Sequence, residues 1–336
     1  MKKVVNRIDA MVSEALDGFV GAFPQYLIRV PGSQVLTRSQ PKRNGLVGIV
    51  SGGGSGHEPA HGGYVGYGML DAAVAGEVFT SPTPDQILHG IKAADHGAGV
   101  LLVVKNYTGD IMNFEIAAEL AEADGIRTAS VVVNDDIAVQ DSLFTTGRRG
   151  IAGTVFVHKI AGALAESGAT LEKVKAMAQS VIDNVRSMGF ATHPCTVPAA
   201  GKPTFELADD ELEMGIGIHG EPGIHREKMK SADELTENLL AKIALDMPLS
   251  PGEHVAVMIN GMGATPQLEL AVMAGRAARW VSEANLILDV MWMGEFMTSL
   301  EMGGASVSLL HLGDETARLL NAPCDTPAIR QGVKHG

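Results

Sequence analysis

Cysteine is nearly absent. Cys195 and Cys324 stand alone in 336 residues and lack CxxC spacing, which excludes a disulfide-stapled secreted scaffold and reads as two buried thiols in a reducing compartment. Aromatic residues make up 4% of the chain, too few for an aromatic-rich β-sandwich. Positive charge is in deficit: 26 Lys and Arg face 39 Asp and Glu, a formal net charge of −13. So acidic a surface repels phosphate backbones and argues against nucleic acid as a partner. No run reaches the ~18 to 20 apolar residues of a membrane span. Asp9, Glu14 and Asp17 break up the opening stretch before it can form the apolar core of a signal peptide. A cytoplasmic protein without membrane contact is expected.

What the chain does have is glycine, 40 residues of it, and 46% hydrophobic residues. That combination suits a small-residue α/β protein with many tight turns. The length fits two domains of ordinary size, or one large one. Ile8, Met11, Val12, Ala15, Leu16 and Phe19 recur at helical spacing and predict an opening amphipathic helix. Strands are expected at "GLVGIV" (45–50), "GVLLVVKNY" (99–107) and "IRTASVVVNDD" (126–136), continuous apolar runs of the kind buried on both faces of a parallel sheet. The segment "GDIMNFEIAAELAEADG" between the last two has helical periodicity and stops at Gly125. A long helical stretch runs from Gly153, broken at "ESGATLEK", to about Met188. The texture then changes to Pro, Thr and Gly. The expected division is an N-terminal α/β domain over 1–185, with a largely parallel sheet flanked by helices, and a C-terminal mixed α/β domain over 186–336. Strands are expected there at "EMGIGIH", "HVAVMING" and "ASVSLLHL", with helices near 232–246 and 266–281.

Three places can carry chemistry. The first is "GIVSGGGSGHEPAHGG" (48–63), a glycine-rich turn after a buried strand. Open α/β sheets bind ligands at such a place, because bare backbone N–H groups can approach oxygens. It is not a nucleotide loop: GxxxxGK[ST] is missing, and His57 stands where the third glycine of GxGxxG would fall after Gly52 and Gly54. It reads as a loop for a small oxygen-rich molecule, with a sharp structural turn as the alternative. The second place is "KNYTGD", where Lys105 and Asp110 end a strand and can grip hydroxyls and move protons. Asp110 equally suits a helix N-cap. The third is "GIGIHGEPG", where His219 sits among glycines. A neutral imidazole is a nucleophile and can add to an exposed carbonyl; the alternative is a turn that happens to carry a histidine.

Metal readings are weak. His219 and His225 have no helical face between them, and His57 and His61 lie among glycines without an HExxH pattern. His89 and His96 read as surface residues of a helix. Arg148 and Arg149 suit a phosphate, a partner's carboxylates or plain solvation. The Met-rich "MWMGEFMTSLEM" reads as core or subunit interface.

With "SGGGSGHEP", "GEVFTSPTPDQI", "KNYTGDIMNFEIAAELA", "TVPAAGKPTF", "GIGIHGEPGI", "NGMGATPQLEL" and "FMTSLEMGGASVSLL" in order over about residues 46 to 327, the chain resembles the dihydroxyacetone kinases, and within them the ketose-binding K subunit. The resemblance implies that His219 binds the substrate carbonyl carbon as a hemiaminal. It implies acid/base roles for His57 and Asp110, and a pocket lined by Gly54, Ser55, Gly56 and Lys105. It implies dihydroxyacetone as substrate and no cofactor or metal on this chain, with ADP or ATP and Mg on a nucleotide-binding L subunit. A phosphocarrier of the phosphoenolpyruvate-dependent sugar phosphotransferase system would recharge that nucleotide in one version of the system. A homodimer is implied as well, and the chain alone is expected to be inactive. Two alternatives accompany this reading: a non-catalytic ketose-sensing co-activator paralogue, and a kinase subunit for a four-carbon ketose.

Overall fold

The computed structural model describes residues 2–139 and 146–333. Within them the chain forms two six-stranded sheets. After the opening helix α1 (Met11–Ala22), the first sheet is made of β1 (Leu27–Arg29), β2 (Val35–Arg38), β3 (Gly48–Ser55), β4 (Ala72–Val78), β5 (Val100–Lys105) and β6 (Thr128–Val133). Their spatial order is β1-β2-β4-β3-β5-β6. The four strands β4, β3, β5 and β6 are parallel, and β1 and β2 add an antiparallel edge. Helices α2 (Pro84–Ala94) and α3 (Thr108–Ala123) make the crossovers. The largely parallel sheet expected from the apolar runs is present. β3 and β5 are buried almost without interruption, as strands covered on both faces must be.

Helices α4 (Thr154–Glu166) and α5 (Leu171–Asp183) then lead into the second sheet. Its strands are β7 (Val185–His193), β8 (Glu211–Met214), β9 (His225–Lys228), β10 (His254–Gly261), β11 (Ile287–Gly294) and β12 (Gly303–Leu312), with α6 (Ala232–Asp246), α7 (Gln267–Glu283) and α8 (Asp314–Leu320) around it. The order is β11-β10-β12-β7-β8-β9. One pair, β10 with β11, is parallel and the rest are antiparallel, a mixed sheet. The helix expected to run to about Met188 ends at Asp183, because Val185 to Phe190 pair with β12 instead. The expected strand "EMGIGIH" stops at Met214: Gly215 has φ 76°, and the chain turns.

Two features place the site. The first is register. Ser51 of β3 stands beside Val103 of β5, so the glycine-rich end of β3 and Lys105 at the end of β5 emerge at the same carboxyl edge. The second is a stitch from the second half of the chain. Thr298 donates its N–H to His57 O at 3.2 Å and its hydroxyl to Glu58 O at 2.9 Å, while Leu300 N–H reaches Gly56 O at 2.7 Å. Asn260, buried in β10, holds that stitch: its carboxamide oxygen accepts the N–H groups of Phe296 and Met297, each at 2.9 Å. α4 packs on β3, β5, α5 and α8, and Thr154 through Ala165 are all buried.

Candidate functional site

His57 leaves β3 into full burial, with no side-chain exposure. Its Nδ1 lies 2.8 Å from Thr298 O. A carbonyl oxygen accepts, so Nδ1 carries the proton and Nε2 keeps its lone pair. Nε2 has no hydrogen-bond partner among the described residues. Burial, followed by the fields of His219 and Lys105, pushes the His57 imidazole well below its ordinary value and keeps it neutral. The ring stacks on Phe79 with centroids 5.2 Å apart. Phe79 itself has φ 55°, a left-handed backbone that a bulky residue adopts at a cost of about 1 kcal/mol or more.

His219 stands edge-on to His57, with ring centroids 4.8 Å apart. Phe79 at 5.1 Å and Tyr107 at 4.6 Å complete an aromatic collar around it. The glycines of its turn serve the carboxylate two residues on. Glu221 accepts the His219 backbone N–H at 2.9 Å and faces His219 Nδ1 at 2.9 Å. A β-carbon on Gly217 would collide with that carboxylate and come within 2.6 Å of Arg149 Nη1. Because the carboxylate accepts from Nδ1–H, Nε2 is the nitrogen of His219 left for a ligand. Burial pushes Glu221 up, but the charge and hydrogen bond of His219, helped by Arg149, outweigh it and hold the carboxyl at about 2. Arg149 is fully buried, donates to Asp136 at 2.8 Å and to Gly215 O at 2.8 Å, and so anchors this turn to the loop after β6.

Asp110 is not the N-cap. α3 starts at Thr108, Tyr107 occupies the cap position, and Asp110 sits in the first turn with its side chain turned inward. It is 4% exposed, and its Oδ1 has no partner among the described residues. The Tyr107 hydroxyl is likewise buried and unpartnered. Gly54, Phe79, Tyr107, Asp110, His219 and Glu221 border one cleft of about 640 Å³. Buried polar atoms left open at the edge of a cleft are what a small polyhydroxylated ligand would satisfy.

The structure brings His57, Asp110, His219 and Gly54 together. It sets the others slightly apart. Lys105 is buried beneath the glycine loop, donating to Gly52 O at 3.1 Å. Ser55 donates its hydroxyl to Gly76 O at 2.7 Å, and Gly56 N–H is held by the Glu58 carboxylate. Ser55 and Gly56 border a second, mostly apolar cavity under α1 instead. Glu221, Tyr107, Phe79 and Thr298 carry no sequence signal strong enough to single them out as site residues. A glutamate two residues from a histidine inside a glycine turn was the available signal for the first. Arg149, read as solvated or facing a partner, is the buried support of Glu221. His96 lies beyond α2, 3.8 Å from Asp71. Among the described residues no group of three or more His, Cys, Asp or Glu could hold a metal ion. Among the described residues no helix is long and apolar enough to cross a membrane.

Residues 17–328 match the Dak1 domain. The chain belongs to the Dak1 family. The PTS-dependent dihydroxyacetone kinase 1, dihydroxyacetone-binding subunit DhaK, of Listeria innocua is 55% identical over 329 residues, covering 98% of this Dak1 chain and all of that protein. Among solved structures, the dihydroxyacetone kinase from C. freundii in complex with AMP-PNP and Mg2+ superposes with a TM-score of 0.91 at 34% identity, over 98% of this chain and 61% of that one. The dihydroxyacetone kinase operon co-activator Dha-DhaQ superposes with a TM-score of 0.89 at 35% identity, over 95% of this chain and 98% of that one. Dak1 relatives therefore include both a kinase subunit and a co-activator.

Proposed function

We propose that this Dak1 protein is the ketose-binding subunit of a dihydroxyacetone kinase. His219 holds dihydroxyacetone covalently while a terminal hydroxyl is phosphorylated to give dihydroxyacetone phosphate. The observation that carries the reading is the pairing of His219 with Glu221 beside a neutral, open His57. In the binding step the lone pair of His219 Nε2 forms a bond to the carbonyl carbon, the C=O π pair moves onto oxygen, and that oxygen takes a proton from solvent water. Positive charge develops on the ring, and the ionised Glu221 at Nδ1 stabilises it. A ligand this small makes few contacts, so a reversible covalent bond supplies affinity and selects carbonyl compounds over glycerol.

In the transfer step His57 Nε2 accepts the proton of the terminal hydroxyl as its oxygen attacks the γ-phosphorus; the bond from that phosphorus to the bridging oxygen breaks and its electron pair leaves with ADP on the partner subunit, and Asp110 shares the acid/base work. The nucleotide, ADP or ATP with Mg, belongs to an L subunit that docks on the cleft. A phosphocarrier of the sugar phosphotransferase system regenerates it in the ADP form. Gly54 lines the ketose pocket; Ser55, Gly56 and Lys105 shape it from beneath. The protein works in the cytoplasm as a homodimer, each chain divided into 1–185 with the glycine loop and 186–336 with the covalent histidine.

The test combines this chain, an L subunit and either ADP with a phosphorylated phosphocarrier or ATP, and measures dihydroxyacetone phosphate. Product that requires both subunits is expected. Absence of product with every donor would contradict the kinase reading. The second reading, a ketose-sensing co-activator, rests on the equally similar fold of the Dha-DhaQ co-activator, with a TM-score of 0.89 beside 0.91 for the kinase, and it would survive that result. Running dihydroxyacetone against a four-carbon ketose in the same assay ranks the substrates.

A further inference from the structure

Beneath the glycine loop lies a buried chain that the proposed chemistry does not use. Lys105 Nζ, at the end of β5, lies 2.8 Å from His61 Nε2. His61 Nδ1 lies 3.0 Å from His158 Nε2, in the middle of α4. The exposures of Lys105, His61 and His158 are 1%, 7% and 0%. An ammonium can only donate, so His61 Nε2 accepts and the His61 proton resides on Nδ1. That proton points to His158 Nε2, which places the proton of His158 on its own Nδ1, an atom without a partner among the described residues. Ser51 agrees with this polarity. Its hydroxyl donates to Val103 O at 2.7 Å, leaving its oxygen to accept from His61 Nδ1 at 3.5 Å. Burial and the neighbouring cation push both histidines down, His158 to about 3, so both are uncharged near neutrality.

The other end of the chain meets the cleft. The position that a β-carbon would take on Gly53 lies 2.6 Å from Lys105 Nζ and 3.5 Å from Asp110 Oδ2. The ammonium and the carboxylate thus converge on the backbone of the substrate loop. Asp110 is the group of opposite charge that acts on Lys105, against a burial effect that lowers the amine. His57, His219, Tyr107 and Glu221 are the other titratable groups around the cleft.

We propose that His61 and His158 are positioning residues for Lys105: a neutral hydrogen-bond chain of fixed polarity that holds the ammonium under the glycine loop and leaves its charge directed at Asp110. A buried cation must have acceptors. A carboxylate at position 61 or 158 would supply one and would also cancel the charge. Two neutral imidazoles satisfy the donor and cancel nothing, so the field of Lys105 falls on the carboxylate in the cleft. The proposal rests on the reading of Asp110 as a proton-transfer group in the kinase.

The test uses the full chain with its L subunit and compares His61→Phe with His61→Gln. The ring of His61→Phe fills the space without an acceptor; the carboxamide oxygen of His61→Gln can still accept from Lys105. His61→Phe is expected to form the His219 adduct as the wild type does. It should lose turnover on the order of tenfold, with the KM for ketose unchanged. His61→Gln should recover most of the turnover. Full activity in His61→Phe, or equal losses of turnover in both variants, would overturn the proposal. If the wild-type pair makes no sugar phosphate, the kinase reading falls, and nitrogen-15 NMR of the histidine rings decides the chain independently. Protons on Nδ1 of both His61 and His158 are expected, with the His61 signals shifting in Lys105→Met. A proton on His61 Nε2 would overturn it.

Discussion

At His219 the identity of the free nitrogen is decided by Glu221, two residues along the chain, which engages both the backbone N–H and Nδ1. Glu221→Gln keeps the shape and removes the charge. It should raise the KM for ketose by about tenfold or more through loss of a charge-assisted bond to the adduct, and it should lower the thermal midpoint, because the same charged contacts stabilise the fold; steady-state kinetics and calorimetry read the two. The same carboxyl sets an acid limit. Its value is held at about 2 against an ordinary 4.5, so its contribution to stability is complete above about pH 4.5 and is lost as pH falls towards 2. The acid-unfolding curve of the Glu221→Gln variant should lack that component. Asp110 differs, because its Oδ1 is unpartnered among the described residues and lies on the cleft wall. Asp110→Asn should cut kcat by about 100-fold or more, within the span of general acid–base effects, while the ketose adduct still forms. Loss of the adduct in a folded Asp110→Asn protein would mean that this carboxylate binds rather than transfers protons.

At the scale of elements, α4 is the helix that the sequence describes least well. "TVFVHKIAGALAE" has a His-Lys pair that periodicity alone would turn to solvent, yet both side chains are fully buried. Two sheets, α5 and α8 enclose this helix, and no local pattern encodes that enclosure. Lys159 Nζ donates to Leu319 O at 2.9 Å, and burial pushes its amine down to about 8 from 10.5. Because the unfolded chain holds that proton longer, stability should rise between about pH 8 and 10.5, by up to about 3 kcal/mol. Urea unfolding across that range should show the rise in the wild type and lose it in Lys159→Met. Elements whose signals are local were legible. α6 spans Ala232–Asp246 behind a Ser231–Glu234 capping box, and β3, β5 and β6 follow their apolar runs. The end of α5 was misread because Val185–Phe190 becomes a strand through pairing with β12, more than a hundred residues away. The site was legible where its residues sit in glycine turns, at His57 and His219. Arg149, Thr298 and His158 were not, since each enters through a contact distant in sequence.

For the whole molecule, the two sheets share more than a linker. One cluster of buried residues joins Val47, Ile49 and Leu101 of the first half to Ile218, Ala256 and Leu310 of the second. Trp292 on β11 stacks on Phe156 of α4 with centroids 5.1 Å apart. The Met-rich stretch around it is core only in part: Met297 and Met302 are fully buried, whereas Met293 is exposed. We propose that the division near residue 185 separates two sheets but not two unfolding units. Tryptophan fluorescence, which samples Trp280 on α7 and Trp292 at the junction, and far-UV circular dichroism should therefore give coincident midpoints in denaturant. Two separated transitions would contradict this. The cleft is built across the same junction, with Gly54 and Asp110 from the first half and His219 and Glu221 from the second, so the proposed binding depends on the integrity of the junction.

The central claim is a covalent bond between His219 and a ketose, and intact-mass spectrometry under gentle conditions tests it most directly. The protein would be incubated with dihydroxyacetone, with a four-carbon ketose and with glycerol, beside the His219→Ala variant. The account predicts a mass increase of one whole ketose with no loss of water, absent with glycerol and absent in the variant. A folded wild-type protein that gains no mass with any ketose would contradict it and reduce His219 to a residue of the turn.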